Sequence, residues 1–245
     1  MHEAAGLALR CVTVPRTPGI EDRGDQMISV IVPHTPGIKD RDDIWNMTRS
    51  KWEKTGYEIV EIDDPIKSPQ GYNKSAAITK GILSSSGDII IMSDSDVWVN
   101  DLDEAINKLS QYDVVVPHDV IWRFDKKTTL GILANRKFIF SKVGGTKQNA
   151  VKGGGMILLR RELALAHLPD TRFIGWGAED WAWFAELSTF GTVWYGNKTM
   201  WHLYHEKQNS NNWEINKKLA NRYKECCGNK EKMEKLIREK PCFNN

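Results

Sequence analysis

Asp88-Ile89-Ile90-Ile91-Met92-Ser93-Asp94-Ser95-Asp96 is the stretch on which the fold turns. Four consecutive large apolar residues with no polar alternation form a strand covered on both faces, and such a strand lies inside a sheet. Gly87, just before it, breaks a preceding helix. Two carboxylates at i and i+2 beyond that strand cannot both be core residues. They project from the carboxyl edge of the sheet, where open α/β sheets bind ligands. A bare Asp-x-Asp is often only a turn or a helix cap; its position after Ile89–Met92 is what marks it here. Hard oxygen ligands of this kind suit Mg²⁺ or Mn²⁺ bridging a diphosphate.

Working outward, the pattern alternates strand and helix. Ile28–Val32 and Tyr57–Ile62 read as strands, Asp42–Lys54 and Asn73–Leu83 as helices, Leu102–Leu109 as a third helix and Asp113–Pro117 as a fourth strand. This β-α-β-α-β-α-β order predicts a mainly parallel, nucleotide-binding sheet. Past Pro117 the rhythm loosens. Trp122–Lys147 is polar and basic with a possible hairpin, and Lys152–Gly155 is a flexible loop opening onto the strand Met156–Leu159. Arg161–Ala166 and Glu179–Leu187 read as helices, Thr192–Tyr195 as a strand, and the segment from Trp213 as charged helix interrupted at Gly228. Val14–Asp25 recurs as Val32–Asp43 with nine of twelve positions identical. Two copies make no solenoid. The organisation is therefore an N-terminal extension at 1–26, one domain at 27–212 with halves 27–117 and 118–212, and a basic helical appendage at 213–245.

Two further constellations carry chemistry. In Gly175-Trp176-Gly177-Ala178-Glu179-Asp180, flanking glycines allow a mobile loop to present an aromatic platform for a sugar face. The carboxylates open a helix whose dipole favours their ionised form, which makes them candidates for general base. Capping by Glu179 and Asp180, with Trp176 in the core, is the plainer alternative. In Trp201-His202-Leu203-Tyr204-His205, two histidines at i and i+3 share one face of a helical turn or approach one ion from a bent loop.

The 245 residues are 40% hydrophobic and 27% charged, which excludes global disorder. No apolar run approaches the ~20 residues that cross a bilayer, and the first residues do not read as a secretory signal. Cys11, Cys226, Cys227 and Cys242 show neither metal spacing nor a disulfide framework, so a reducing cytoplasm is expected. Net charge is only +2, too small to demand a nucleic-acid partner, although Lys217–Lys240 holds nine basic residues against four Glu. A solvated helical face explains that excess, with an anionic acceptor as the alternative.

The ordered motifs are Ile28–Val32 with Pro33, Tyr72-Asn73-Lys74, Met92–Asp96 with Asn100-Asp101, Gly153–Gly155 and Gly175–Asp180. Their order resembles the GT-A-fold glycosyltransferases, most closely the β-1,4-galactosyltransferase catalytic domain and its relatives, over about residues 28–206. The resemblance implies a single α/β domain with a Rossmann-like mixed sheet flanked by helices. It also implies a nucleotide-sugar donor, with UDP as the nucleotide, and Mn²⁺ or Mg²⁺ as cofactor. Pro33, His34 and Thr35 match the nucleotide-contacting loop after the first strand, where the family has Phe and Arg. Tyr72 and Lys74 match the diphosphate-contacting segment. Lys in place of Arg keeps the charge and loses the planar fork. Asp94, with Ser95 beside it, falls near the ribose, and Asp96 is the metal-ligand position. The family's Met-x-x-His pair falls on His202 and His205, an imidazole replacing a thioether, which can shift the metal preference. Trp176 matches the tryptophan that closes over the donor, Glu179 the acid that orients the acceptor, and Asp180 the catalytic base. Gly154, Gly155 and Gly175 complete the acceptor side.

The implied reaction is inverting transfer to a hydroxyl, with a bacterial or phage glycan or glycoconjugate as leading acceptor. A hydroxylated base in phage DNA is a second acceptor, motivated by Lys126, Lys127, Arg136, Lys137, Lys142, Lys147, Lys152 and the basic C-terminal segment. The rivals are a retaining enzyme of the same fold, a nucleotidyltransferase, and a sugar- or nucleotide-binding module without turnover. A nucleotidyltransferase wants a Gly-rich basic loop after the first strand, and Pro33–Gly37 is poor in basic residues.

Overall fold

Ile89, Ile90, Ile91, Met92 and Ser93 are all at most 3% exposed, and the strand they form, β3 (Ile89–Ser93), runs between two neighbours inside an eight-stranded sheet. The computed structural model describes residues 26–135, 144–150, 153–175, 177–206 and 212–243. The first copy of the repeat at Val14–Asp25, the loop residue Trp176, and Arg136, Lys137, Lys142 and Lys152 lie outside the described residues. The elements run β1 (Ile28–Pro33), α1 (Lys39–Trp52), β2 (Glu58–Ile62), α2 (Lys74–Ser84), β3, β4 (Val97–Val99), α3 (Asp103–Lys108), β5 (Val114–Phe124) and α4 (Lys126–Asn135). They continue with β6 (Gly145–Asn149), β7 (Met156–Arg160), α5 (Arg161–Ala166), α6 (Glu179–Phe190), β8 (Val193–His202), α7 (Trp213–Cys226) and α8 (Lys230–Ile237).

Strand periodicity sends alternate residues of β3 to opposite layers. Ile89 and Ile91 join Val30, Trp45 and Trp52 in the layer covered by α1 and α3. Ile90 and Met92 join Ile31, Ile78, Ile82, Trp183 and Leu187 in the layer covered by α2, α5 and α6. Three layers with two apolar cores follow from that one alternation.

The sheet order is β2-β1-β3-β7-β5-β8-β4, with β6 on β5. β1 pairs in parallel with β2 and β3, and β5 with β8. The pairs β3–β7, β5–β7, β4–β8 and β5–β6 are antiparallel. The sheet is therefore mixed, not mainly parallel, because β7 inserts antiparallel between β3 and β5. The chain leaves β1 for β2 on one side and returns to β3 on the other. That reversal opens a crevice at the carboxyl ends of β1 and β3.

Three local expectations change. The basic stretch after Trp122 contains a helix as well as the β5–β6 pairing: α4 buries Ile132 against Ile44, Met47, Phe124 and Leu203. Thr192–Tyr195 and the histidine segment are not separate, since β8 runs unbroken to His202. The short strand β4 was not anticipated; it pairs Val97 with His202 and Trp98 with Trp201.

α7 and α8 pack on α6 through Tyr223, Met233, Leu236 and Ala220, against Phe173, Ala182 and Ala185. One charge of the C-terminal positive excess is neutralised inside the fold, and two more basic residues pair at the surface with acids of the same segment. Lys240 Nζ lies 2.5 Å from the buried Glu186 carboxylate, Arg222 pairs with Glu239, and Lys235 with Glu231. The Tyr223 hydroxyl, on a fully buried ring, donates to Asp170 Oδ2 at 2.8 Å. Tyr223→Phe removes that donor and leaves a buried carboxylate short of a partner. The expected loss is about 1–2 kcal/mol, read as a fall of a few degrees in thermal midpoint by circular dichroism. No helix among the described residues is long and apolar enough to cross a membrane.

Candidate active site

Four strand and helix ends converge at the crevice. A cleft of about 390 Å³ is lined by Pro33, His34, Thr35, Arg41, Tyr72 and Ser95 together with the loop after β2. The His34 ring is buried, with Nε2 3.0 Å from Asp42 Oδ1 and its centroid 6.0 Å from Trp45. Thr35 Oγ1 donates to Asp63 Oδ1 at 2.7 Å. Asp64 accepts the backbone N–H groups of Ile66 and Asn73, which fixes the turn beneath the cleft. The Tyr72 hydroxyl is buried without a partner, and its pKa is raised by burial first and by the Asp63 carboxylate next. Ser95 is buried, its carbonyl accepting from Thr48 Oγ1 at 2.6 Å.

Lys74 is the hub of the next cluster. Asn73 caps α2, its side chain accepting from Ala76 N at 2.9 Å while its amide donates to Thr171 O. This places Lys74 at the first helical position, with Nζ 2.7 Å from Asp94 Oδ1, 2.8 Å from Asp180 Oδ1 and 3.7 Å from Glu179 Oε1. Asp94 leaves the end of β3 with its N–H on Gly155 O. Glu179 and Asp180 open α6, where Ala178 takes φ +68° and Gly177 N donates to Glu179 Oε2 at 3.1 Å. Gly175 N donates to Tyr72 O at 2.9 Å, tying this loop to α2. Gly177 has φ +122°, and a Cβ there would sit 2.5 Å from the Trp213 ring, so Gly177 itself lies directly against the start of α7.

One lysine faces three carboxylates. Burial is the largest influence on Lys74 and would lower it, yet Asp180, Asp94 and Glu179 together hold its pKa well above the usual lysine value. Burial pushes Asp180 up to about 7; Lys74 opposes the rise, while Glu179 and Asp94 add to it. The helix dipole was expected to favour ionised Asp180. Burial and two like charges outweigh it, the dipole being worth typically ~0.3–1 kcal/mol.

The glycine segment is less free than expected. Gly155 has φ +79°, and a Cβ on it would lie 2.3 Å from Met200 Cε. Gly154, half-buried, accepts from Met156 N at 3.0 Å. The segment is pinned between Asp94 and β8.

Asp96, His202 and His205 form the third group, with ligand atoms within 4.8 Å of one another. Antiparallel pairing of β4 with β8 brings His202 beside Asp96, and Leu203 N donates to Asp96 O at 2.9 Å as the ladder ends. His202 therefore closes a strand and His205 stands in the bend after it, which settles the pair as a bent loop and not a helical turn. His205 Nε2 lies 2.9 Å from Asp96 Oδ2, and His202 Nε2 3.9 Å from Oδ1. Burial would raise Asp96, but His202, His205 and Arg41 hold it well below the ordinary carboxylate range. Burial lowers His202, favouring its neutral form. Asp96 Oδ1 is buried with no hydrogen-bond partner. An orphaned carboxylate oxygen facing an imidazole is what a divalent cation would satisfy, and one carboxylate with two imidazoles suits Mn²⁺ better than Mg²⁺.

The sequence reading missed Arg41. Its Nη2 lies 2.9 Å from His205 Nδ1 and its Nη1 4.0 Å from Asp96 Oδ2. The one available signal was weak: an Asp-Arg pair retained in both copies of the repeat.

Residues 56–167 match the family model described as Glycosyl transferase family 2. No curated protein matches the sequence. Among solved structures, the catalytic domain of Drosophila β1,4-galactosyltransferase 7 with xylobiose aligns at 16% identity and TM-score 0.47, covering 78% of this chain and 79% of that one. Glucosyl-3-phosphoglycerate synthase from Mycobacterium tuberculosis, with Mn²⁺ and UDP, aligns at 16% identity and TM-score 0.45, covering 83% and 81%. S. aureus TarS 1–349 with UDP-GlcNAc aligns at 15% identity and TM-score 0.49, covering 74% and 60%.

Proposed function

We propose that this chain, a glycosyltransferase of the GT-A fold, moves a sugar from a nucleoside-diphosphate sugar, with UDP as the nucleotide, to a hydroxyl of a glycan or glycoconjugate, inverting the anomeric centre. The observation that carries the reading is the single Lys74 ammonium joining Asp180 to Asp94, two residues from Asp96. A base for the acceptor and a site for the leaving group thereby share one sheet edge. Asp180 takes the proton of the acceptor hydroxyl as that oxygen bonds to the anomeric carbon, and the electron pair of the breaking bond leaves on the diphosphate. Glu179, Gly154, Gly155 and Gly175 belong to the acceptor side, with Trp176 shared between acceptor and donor. Pro33, His34, Thr35, Tyr72, Lys74, Asp94 and Ser95 form the donor side.

Asp96, His202 and His205 are the residues that would hold a divalent cation, which supplies charge neutralisation for the departing diphosphate when bound. Lys74, kept protonated by its carboxylates, adds fixed positive charge at the same edge. A panel of nucleotide sugars incubated with Mn²⁺ and hydroxyl acceptors tests this. The expected result is Mn²⁺-dependent release of nucleoside diphosphate from a UDP-sugar and a product of inverted configuration by NMR. Retained configuration would overturn the single-displacement mechanism; no binding of any nucleotide sugar would overturn the donor class.

A further inference from the structure

The C-terminal helices read as an appendage in sequence, yet the first turn of α7 is built into the acceptor side of the site. Asn212, just before α7, donates through Nδ2 to the Ile174 carbonyl at 3.2 Å and to the Gln70 carbonyl at 3.4 Å. The buried Asn216 donates to the same Ile174 carbonyl at 3.1 Å. Ile174 precedes Gly175, and Gln70 precedes Gly71 at the edge of the cleft. Two amides therefore fasten the start of this helix to the loop that leads to Glu179 and Asp180. The packed stripe of α7, Tyr223 and Ala220, continues back through Asn216 to Trp213, and there it reaches the surface: Trp213 is 40% exposed. Its ring covers Gly177, where a φ of +122° and the lack of room for a Cβ both call for glycine. The same Gly177 donates its N–H to Glu179 Oε2 at 3.1 Å. An indole and a carboxylate thus meet at one residue of this loop.

Resting on the acceptor reading above, we propose that Trp213 forms an acceptor subsite, its indole taking the C–H face of a pyranose ring whose hydroxyl edge turns toward Glu179. The juxtaposition selects the ligand class. A wholly apolar ligand would gain from the ring but would strip water from the neighbouring carboxylate and return no hydrogen bond. A pyranose offers both halves, an apolar face for the indole and hydroxyl donors for Glu179. Tryptophan supplies this contact on two side-chain torsions, so little entropy is lost when the sugar docks. The ties to the Ile174 and Gln70 carbonyls hold the start of α7 in place before the ligand arrives, and a surface seated in advance binds more tightly than one that must be ordered. Trp213 is a binding residue: it sets which acceptor is held and takes no part in proton transfer.

The test uses the full chain with a UDP-sugar, Mn²⁺ and a panel of methyl glycosides and disaccharides as acceptors. Trp213→Ala should raise the acceptor KM about 3–10-fold, the scale of one lost aromatic contact. It should lower kcat far less, and its affinity for UDP by calorimetry should match wild type. Trp213→Tyr should recover most of the acceptor affinity and Trp213→Leu little, because the sugar needs a flat face and not bulk. In protein labelled with 5-fluorotryptophan, the resonance that Trp213→Tyr removes should shift when a saturating glycoside joins the complex with Mg²⁺ and UDP. An acceptor KM unchanged in Trp213→Ala would overturn the subsite. So would Trp213→Leu matching Trp213→Tyr, or a resonance left in place by a glycoside that the enzyme turns over. If Trp213→Ala does not fold, the fluorine shift in the wild-type sequence decides alone. Wild type that releases UDP with Mn²⁺ yet transfers to no glycoside of the panel would instead overturn the acceptor class on which the subsite rests.

Discussion

Asp180→Asn lowers kcat by about 10²–10⁴-fold, the range attached to a positioned general base, while leaving the affinity for UDP unchanged. Asparagine keeps the volume, and Lys74 retains Asp94 at 2.7 Å, so the cluster loses a base without losing its centre. The pH profile supplies an independent signature. Asp180 accepts a proton only when ionised, and its pKa is raised to about 7 by burial together with Glu179 and Asp94 against the opposing Lys74. Wild-type kcat/KM therefore climbs as pH passes upward through about 7 and falls off below it. Steady-state kinetics from pH 5 to pH 9 should show that limb in wild type and none in the residual activity of Asp180→Asn. An unchanged turnover in the variant rejects Asp180 as the base.

Asp96→Ala carries the second large effect. It removes the one carboxylate of the triad and leaves two imidazoles, a set too poor in charge to retain a divalent cation at micromolar concentration. Activity should fall at least about 10³-fold, a loss of several kcal/mol of charge stabilisation. Prolonged chelation of the wild type should reproduce that loss, and added Mn²⁺ should reverse it. Folded-state linkage gives a readout free of catalysis. Mn²⁺ with UDP should raise the thermal midpoint of wild type, because a ligand bound only by the native state adds stability with concentration. The same additions should shift Asp96→Ala by little more than UDP alone. A full manganese-dependent shift in Asp96→Ala would place the cation elsewhere.

Much of this site can be read from local sequence. The uninterrupted apolar run Ile89–Met92 requires a strand buried on both faces, and a buried strand forces Asp94 and Asp96 to its carboxyl end. Asn73 opens the helix read at Asn73–Leu83, and its observed place as the cap of α2 sets which way Lys74 leaves the helix. The acids of Gly175–Asp180 announce a helix start in the same manner. These inferences succeed because each rests on chemistry within one turn or one strand.

Tertiary structure alone decided the rest. β7 runs antiparallel between β3 and β5, a choice no periodicity encodes, since a strand buried on both faces looks alike in either direction. The three-residue β4 is too short to announce itself, yet its pairing with β8 carries His202 across more than a hundred positions to Asp96. Arg41 sits on a charged first turn indistinguishable by pattern from any solvated helix start, and only the folded chain brings it to His205. The elevated Asp180 proton affinity is likewise collective. It arises from burial and from carboxylates supplied by β3 and α6 around a lysine of α2, so it exists only once those elements have met. The chain by itself determined the long apolar and periodic elements and the acids that stand at their ends; packing determined the short β4, the full length of β8 and which ends face one another, because charge–charge and hydrogen-bond energies depend on distances that span the whole sheet.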